Sequence, residues 1–270
     1  MQLIPLKSPL IKPKDDLTEI LSGLFDKRKI EPQEKDILVV SSKVVALSEG
    51  RVVKLDEVKV SDEARKIKDA KYVQSLGKKS DAFKQLVLNE ADQFLDGEMV
   101  YLTLKNKILI PHAGIDLSNA PEGVAILWPE NSFNSAEKIR DCFLRKFSLK
   151  NLGVVVIDSH CQPLRTGVVG IALGWSGIEG VEDERGKKDL YGKKLRVTQK
   201  NVADQLASSA SLLMGEAGES IPFVLVRNAP VKFTNKKFDQ ESYWFDPEDD
   251  LFAGIYSNEF KIKSFPQEVD

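Results

Sequence analysis

Three short polar segments, each closing an apolar run, hold the side chains best suited to chemistry: HAGIDLSN at His112–Asn119, VIDSHCQPLRTG at Val156–Gly167 and LLMGEAGE at Leu212–Glu219. They set Asp116, Asp158 and Glu216 where strand or helix gives way to loop. Carboxylates on short loops at a core's edge supply the oxygens that hard cations such as Mg²⁺ and Mn²⁺ take. Such cations point to phosphate chemistry. Ser159 places a hydroxyl beside Asp158 that can join a metal shell. Asp116 lies in a turn between Gly114 and Asn119, and Ser118 could cap the next segment. Taken singly, Asp116 and Asp158 read as turn or N-cap carboxylates. Glu216 follows a helix, where the negative end of the dipole disfavours an anion. A carboxylate kept there asks for a cation, and the plain alternative is a surface residue.

Other chemistries find less support. No G-x-x-x-x-G-K-S/T pattern exists, so there is no P-loop. Gly167-Val168-Val169-Gly170 lacks the strand–GxGxxG–helix setting of a dinucleotide site. Gly215–Gly218 could cradle a phosphate through backbone amides. His160-Cys161 would suggest a thiol and its base, but neighbours in a loop rarely point the same way and no orienting Asn or Asp is evident. His112 reads as a hydrogen-bonded loop residue. Two histidines and two cysteines make a poor zinc set beside the hard-oxygen reading.

The elements that must position these groups follow from periodicity. Leu3–Leu6 reads as an edge strand, and Asp15 or Asp16 caps a helix to about Arg28 with Leu17, Ile20, Leu21 and Leu24 on one face. Ile37–Val40 is a buried strand, and Ser41-Ser42-Lys43 a strand-to-helix junction. Ser61 starts a charged helix. Asp81 starts another, with Phe83, Leu86, Val87 and Phe94 at helical spacing. The Lys-rich stretches Arg65–Lys71 and Lys78–Lys84 read as solvated helix faces.

Val100–Leu104 and Ile108–Ile110 form a hairpin through Lys105-Asn106-Lys107, and Ala125–Trp128 is a further strand. Ser135–Phe147 is an amphipathic helix that turns Ile139, Cys142, Phe143 and Phe147 inward. Val154–Ile157 is a strand ending at Asp158-Ser159, and Val168–Leu173 is a second. Trp175–Leu195, rich in Gly and charge, reads as a long loop. Val197–Met214 is a helix whose Ala203, Ala207, Ser208 and Ser211 admit a close backbone, as from a second subunit, and Gly215 caps it. Pro222–Arg227 is a last buried strand, and a short helix is expected near Asp249–Tyr256. Strands and helices mix without regular βαβ alternation, which predicts a mixed-sheet α/β or α+β fold.

A chain of 270 residues with 42% apolar and 30% charged residues is that of an ordinary globular protein. Its 39 basic and 41 acidic side chains nearly cancel, unlike the footprint of a nucleic-acid binder. Two cysteines, Cys142 and Cys161, fit a reducing compartment. No signal-peptide pattern opens the chain, and no window approaches the roughly 20 apolar residues of a membrane span. The expectation is a soluble cytoplasmic protein that acts on small molecules, with no membrane or nucleic-acid partner.

Longer blocks surround the three segments: SPLI near the start, VVSSKVVALSEGR at Val39–Arg51, PLRTGVVGIALGWSG after VIDS, ERGKKDLYGKKL at Glu184–Leu195 and VADQLASSASLLMGEAGESIPFVLVR at Val202–Arg227. In this order the chain, from Leu3 to about Arg227, resembles the coenzyme F420-0:L-glutamate ligase family, the GTP-dependent gamma-glutamyl ligases of deazaflavin cofactor biosynthesis. The resemblance implies a two-lobed α/β fold over residues 1–230, with 231–270 as an extension packed on it, and an intertwined homodimer. It implies GTP, two divalent cations (Mn²⁺ or Mg²⁺) and K⁺. Asp116 and Asp158 would bind one metal, with Ser159 and Glu216 on the other. Leu6, Lys7, Ser8 and Pro9, Ser41 and Ser42, Asn119, and Met214, Gly215, Glu216, Ala217 and Gly218 would contact the nucleotide, with Lys43 near phosphate. The acceptor carboxylate would become an acyl phosphate, which the glutamate amine then displaces. Arg165, Arg185 and Lys188 are candidates for gripping anionic substrate groups, against the alternative of surface salt bridges.

The sequence departs from the family's D-S/T-x-G-R-P pattern after the metal-binding strand, with Cys161 for Gly and Gln162 for Arg. One change removes backbone freedom and the other a fixed charge. A folate, which also presents a glutamate γ-carboxylate, is therefore an alternative acceptor to the deazaflavin. A non-catalytic nucleotide-binding homologue is a third reading, opposed by retention of all three carboxylates.

Overall fold

The structure, a computed structural model, describes residues 1–95, 97–239, 243 and 249–252. In chain order its elements are β1 (Gln2–Leu6), α1 (Leu17–Arg28), β2 (Asp36–Ser41), α2 (Ser42–Glu49), β3 (Val52–Lys54), α3 (Asp62–Lys66), α4 (Lys71–Gln74), α5 (Ser80–Glu90), β4 (Gln93–Leu95), β5 (Leu102–Lys105) and β6 (Ile108–Pro111). They continue as β7 (Val124–Ile126), α6 (Ser132–Lys146), β8 (Leu152–Cys161), β9 (Val168–Ser176), β10 (Val181–Asp183), β11 (Gln199–Asn201), α7 (Val202–Met214) and β12 (Phe223–Arg227). This is a mixed α/β architecture with several sheets. Among the described residues no helix is long and apolar enough to cross a membrane. The helix expected near Asp249–Tyr256 lies outside the described residues apart from 249–252, which form turns and a bend.

The chain divides into two compact units, one of Met1–Arg51 with Pro129–Asp239 and one built on Val52–Trp128. The first is organised by a five-stranded sheet in the order β1-β12-β2-β8-β9. β2 and β8 run parallel, and the other neighbours are antiparallel. Alternation decides the faces. Leu38 and Val40 of β2 and Val154 and Val156 of β8 join Leu21 and Phe25 of α1, Val45 of α2 and Ile139 and Phe143 of α6 in one core. Val39, Val155 and Val224 point the other way and are equally buried, beneath α7. Asp16 caps α1 by accepting the Thr18 amide at 2.8 Å, and Asn131 caps α6.

Several expectations change. β8 does not end at Ile157 but runs to Cys161, because β9 offers it a partner as far as Val168. Asp158 and Ser159 are therefore strand residues, not loop residues. Trp175 belongs to β9, and β10 pairs with β11 inside what reads as a loop followed by helix; α7 begins only at Val202, where Asn201 caps it. Cys142 is half-buried rather than a core residue.

In the second unit β3 pairs with β7, and β4-β5-β6 form a small antiparallel sheet. The β5–β6 hairpin turns through Asn106 and Lys107, both left-handed (φ 52° and 60°), as a two-residue type I′ loop requires. Phe83, Leu86 and Val87 of α5 pack with Val73, Tyr101 and Leu127. Phe94 is not on α5: the helix stops at Glu90 and Phe94 sits in β4, opposite Thr103. Nor is the Lys78–Lys84 stretch wholly solvated. Lys84 is buried, with its ammonium 2.7 Å from Asp69, 2.8 Å from Asp81 and 3.1 Å from the Ile67 carbonyl. Three acceptors make that burial tolerable.

Candidate active site at one end of the sheet

Four of the segments singled out from sequence meet at one end of the first unit's sheet. β2 and β8 are parallel, and Ser41 lies opposite Ile157, so the Ser41–Ser42 junction, where β2 ends, stands beside Asp158–Ser159 of β8, which continues paired with β9. β12 enters at that end, with the Pro222 carbonyl accepting the Ser41 amide at 2.9 Å. β1 leaves it, and Ser8 N–H donates to the Ser220 carbonyl at 2.9 Å. Residues 6–9, 41–43, 158–159 and 214–220 thus gather where β2 ends and α2 begins, beside the parallel β8, a usual place for a ligand in an α/β sheet. Ser41, the N-cap of α2, makes no side-chain cap bond, so its hydroxyl is not spent on the helix. A helix N-terminus presents amides and positive potential to an anion.

Strand alternation separates Asp158 from Ser159. Asp158 continues the row of Val154 and Val156, and Ser159 continues that of Val155 and Ile157 toward α7. Ser159 Oγ lies 2.9 Å from each oxygen of Glu216, the residue two beyond the end of α7. The Asp158 carboxylate accepts the Ser159 amide at 2.8 Å. Among the described residues no three His, Cys, Asp or Glu side chains form a ready-made cation site. The donors themselves, two carboxylates and a hydroxyl, are hard oxygens, which fit Mg²⁺ or Mn²⁺ and would not suit a soft metal. Gly215 has φ 73°, and a Cβ there would fall 2.4 Å from the Glu219 carboxyl carbon. Ala217 N–H donates to Glu219 at 2.8 Å, so the turn expected to cradle a phosphate already holds an anion of its own chain.

Small residues of α7 let β9 approach closely. A Cβ on Gly170 would stand 2.6 Å from the Ala207 carbonyl oxygen, and Ser208 Oγ donates to the Gly170 carbonyl at 2.8 Å. Asp204 accepts the Ala172 amide at 2.8 Å and was not singled out from sequence. The signal was present, since an N-cap Asn followed three residues later by a carboxylate is a capping pattern.

Asp116 and Asn119 belong to the second unit. Asp116 exchanges backbone hydrogen bonds with Ile126, and its carboxylate accepts the Ser118 amide at 2.6 Å and the Ser118 hydroxyl at 3.0 Å. Asn119 is left-handed, with φ 52°. His112 is not a hydrogen-bonded loop residue: both ring nitrogens are buried with no hydrogen-bond partner among the described residues, amid the rings of Tyr72, Phe83 and Tyr101. Burial pushes its pKa down from 6.5 to about 4. Above pH 6.5 folded and unfolded chains both hold it neutral; below that the unfolded chain gains a proton the folded chain refuses. Stability therefore falls as pH drops from 6.5 toward 4. Urea titrations of wild type and His112→Phe should diverge by about 2 kcal/mol between pH 7 and pH 5, wild type losing more. Parallel losses would place the acid sensitivity elsewhere.

Arg165 lies in the exposed β8–β9 connection, where its amide donates to the Gln162 carbonyl at 3.2 Å. Arg185 is engaged by Asp183 through a 2.7 Å ion pair, so its fork is committed to its own chain. His160 and Cys161 are successive β8 residues, which sends them to opposite faces and removes any thiol–imidazole pair.

Residues 5–228 match the family model for F420-0:gamma-glutamyl ligase. The chain is 39% identical over 233 residues to the coenzyme F420:L-glutamate ligase of Archaeoglobus fulgidus, covering 86% of this chain and 89% of that protein. It is 37% identical to the proteins of that name in Methanococcus maripaludis, over 87% of this chain and 91% of the relative, and in Methanocaldococcus jannaschii, over 88% and 91%.

Proposed function

The chain belongs to the F420-0:gamma-glutamyl ligase family and is a carbon–nitrogen bond-forming ligase, and on that premise we propose that it joins L-glutamate to coenzyme F420-0 or F420-1 at the expense of GTP. The observation that supports this best is the sheet end at which Ser159 and Glu216 meet beside the uncapped N-terminus of α2.

A carboxylate is a poor acyl donor. In the proposed reaction the acceptor's carboxylate oxygen attacks the γ-phosphorus of GTP, the bond to the β-phosphate oxygen breaks, and GDP leaves. The glutamate amine then attacks the acyl carbon, inorganic phosphate departs with the C–O bond electrons, and the amine proton goes to solvent or phosphate. The α2 amides and Ser41 would hold phosphate oxygens, with Lys43 adding charge, and residues 214–218 would follow the nucleotide. Asp158, Ser159 and Glu216 would hold Mn²⁺ or Mg²⁺, two ions in the family reading. Those ions, when bound, neutralise the phosphate charge that builds during transfer. K⁺ and a homodimer belong to the same reading.

A mass-spectrometric assay tests it: purified protein with GTP, Mn²⁺, K⁺ and L-glutamate, and F420-0 or a reduced folate monoglutamate in parallel. A glutamylated deazaflavin is the expected product. A glutamylated folate alone would transfer the protein to that acceptor, which the Cys161–Gln162 departure favours. No product with either would overturn the ligase reading for both acceptors.

A further inference from the structure

We propose that Asp204 is a positioning residue, which sets the register of α7 along β9 and so delivers Glu216 to Ser159. The inference rests on reading the Ser159–Glu216 pair as part of the active site. It begins with an irregularity in the sheet. Val156 of β8 lies opposite Gly174, but Ile157 lies opposite Ala172, so Leu173 is an extra residue on β9. A bulge of this kind breaks the ladder and re-aims the strand beyond it. Beyond it, the re-aimed β9 pairs through Ile171 and Gly170 with Asp158 and Ser159 of β8.

At the break, the Ala172 amide donates to Asp204 Oδ1 at 2.8 Å. Two residues along the strand, the Gly170 carbonyl accepts from Ser208 Oγ at 2.8 Å. Asp204 and Ser208 are one helical turn apart, about 6 Å along the axis. Ala172 and Gly170 are about 6.6 Å apart along the strand. The two spacings match, so these bonds clamp helix to strand at two points, and the charge-assisted one is the stronger. Gly170 is also the residue paired with Ser159. The clamp therefore fixes the C-terminal end of α7 against the β8–β9 pair, and Glu216 emerges where its carboxylate meets the Ser159 hydroxyl. Burial raises the Asp204 pKa, opposed by the Ala172 amide, His160 and Asn201, so the carboxylate is kept there against its own desolvation.

Capping alone is the competing explanation, because Asp204 Oδ2 also accepts from Asn201 Nδ2 at 2.7 Å. Crystal structures, melting curves and Mn²⁺ titrations of the full chain separate the two. Asp204→Ala is expected to part Ser159 from Glu216 and to weaken Mn²⁺ binding about 10- to 100-fold. Asp204→Asn, which keeps an acceptor for the Ala172 amide, should stay within about threefold of wild type on the same scale. Asn201→Ala, which strips the cap but leaves Asp204 on Ala172, should melt earlier with unchanged Mn²⁺ affinity. An intact Ser159–Glu216 contact in Asp204→Ala overturns the proposal, as does an equal loss of affinity in Asn201→Ala. If Asp204→Ala does not fold, Asp204→Glu carries the test: its extra methylene must shift α7 on β9, and an unchanged contact overturns the proposal. A wild type that takes up no Mn²⁺ would sink the metal reading alone, and the crystal structures would still decide Asp204.

Discussion

Glu216→Gln and Asp158→Asn should each cut glutamate ligation by about 100-fold or more, a loss of about 2.7 kcal/mol or more in transition-state stabilisation. Both changes keep shape and remove one negative charge, so what they test is charge. Asn at 158 can still accept the Ser159 amide that Asp158 holds at 2.8 Å. Gln at 216 can still accept from the Ser159 hydroxyl through one of the two oxygens that now share it. Glu216 is exposed and Asp158 half-buried, so each variant should unfold within about 0.5 kcal/mol of wild type. A neutral amide, however, binds a divalent cation far less well than a carboxylate does. Activity is therefore expected to fall with Mn²⁺ affinity, and excess Mn²⁺ should recover part of it. Variants that ligate within threefold of wild type would remove these two carboxylates from the chemistry.

Much of this arrangement is legible in the sequence because each chemical segment ends an apolar run. Ile37–Val40 followed by two serines predicts β2 and the start of α2, and the structure has both. The helix capped by Asp16 and the strand ending at Arg227 follow equally from local signals. Periodicity fails where tertiary partners overrule it. Asp158 and Ser159 look like loop residues until β9 pairs with them, and residues 199–201 look helical until β10 does. Phe94 keeps a helical spacing from Val87, but α5 has already ended. The contact between Ser159 and Glu216 spans 57 positions and has no periodic signature. His112 is polar in sequence and desolvated in the fold, a change that only the surrounding rings of Tyr72, Phe83 and Tyr101 explain.

The opposite end of the same sheet carries the largest expected effect on stability. Asp36 opens β2 with its side chain 1% exposed, and Arg227 closes β12 with its side chain 19% exposed. Arg227 Nε lies 2.9 Å from Asp36 Oδ1, and Nη2 lies 2.9 Å from Oδ2, a bidentate pairing. The same Nη2 donates to the Glu31 carbonyl at 2.7 Å, and Asp36 also accepts the Gln33 amide at 2.9 Å. Taking Arg227 away leaves a buried carboxylate that keeps the Gln33 amide but loses both guanidinium donors, and frees the Glu31 carbonyl. Arg227→Met should therefore cost about 3–5 kcal/mol in urea unfolding, the range for breaking a buried pair from one side. That is a large share of a total of about 5–15 kcal/mol. Replacing both partners, Asp36→Leu with Arg227→Met, should recover most of the loss, because no charge is then stranded. The double-mutant cycle separates this account from simple packing. If the double variant is as unstable as the sum of the single ones, the two residues contribute independently, and the ion pair does not tie β12 to β2.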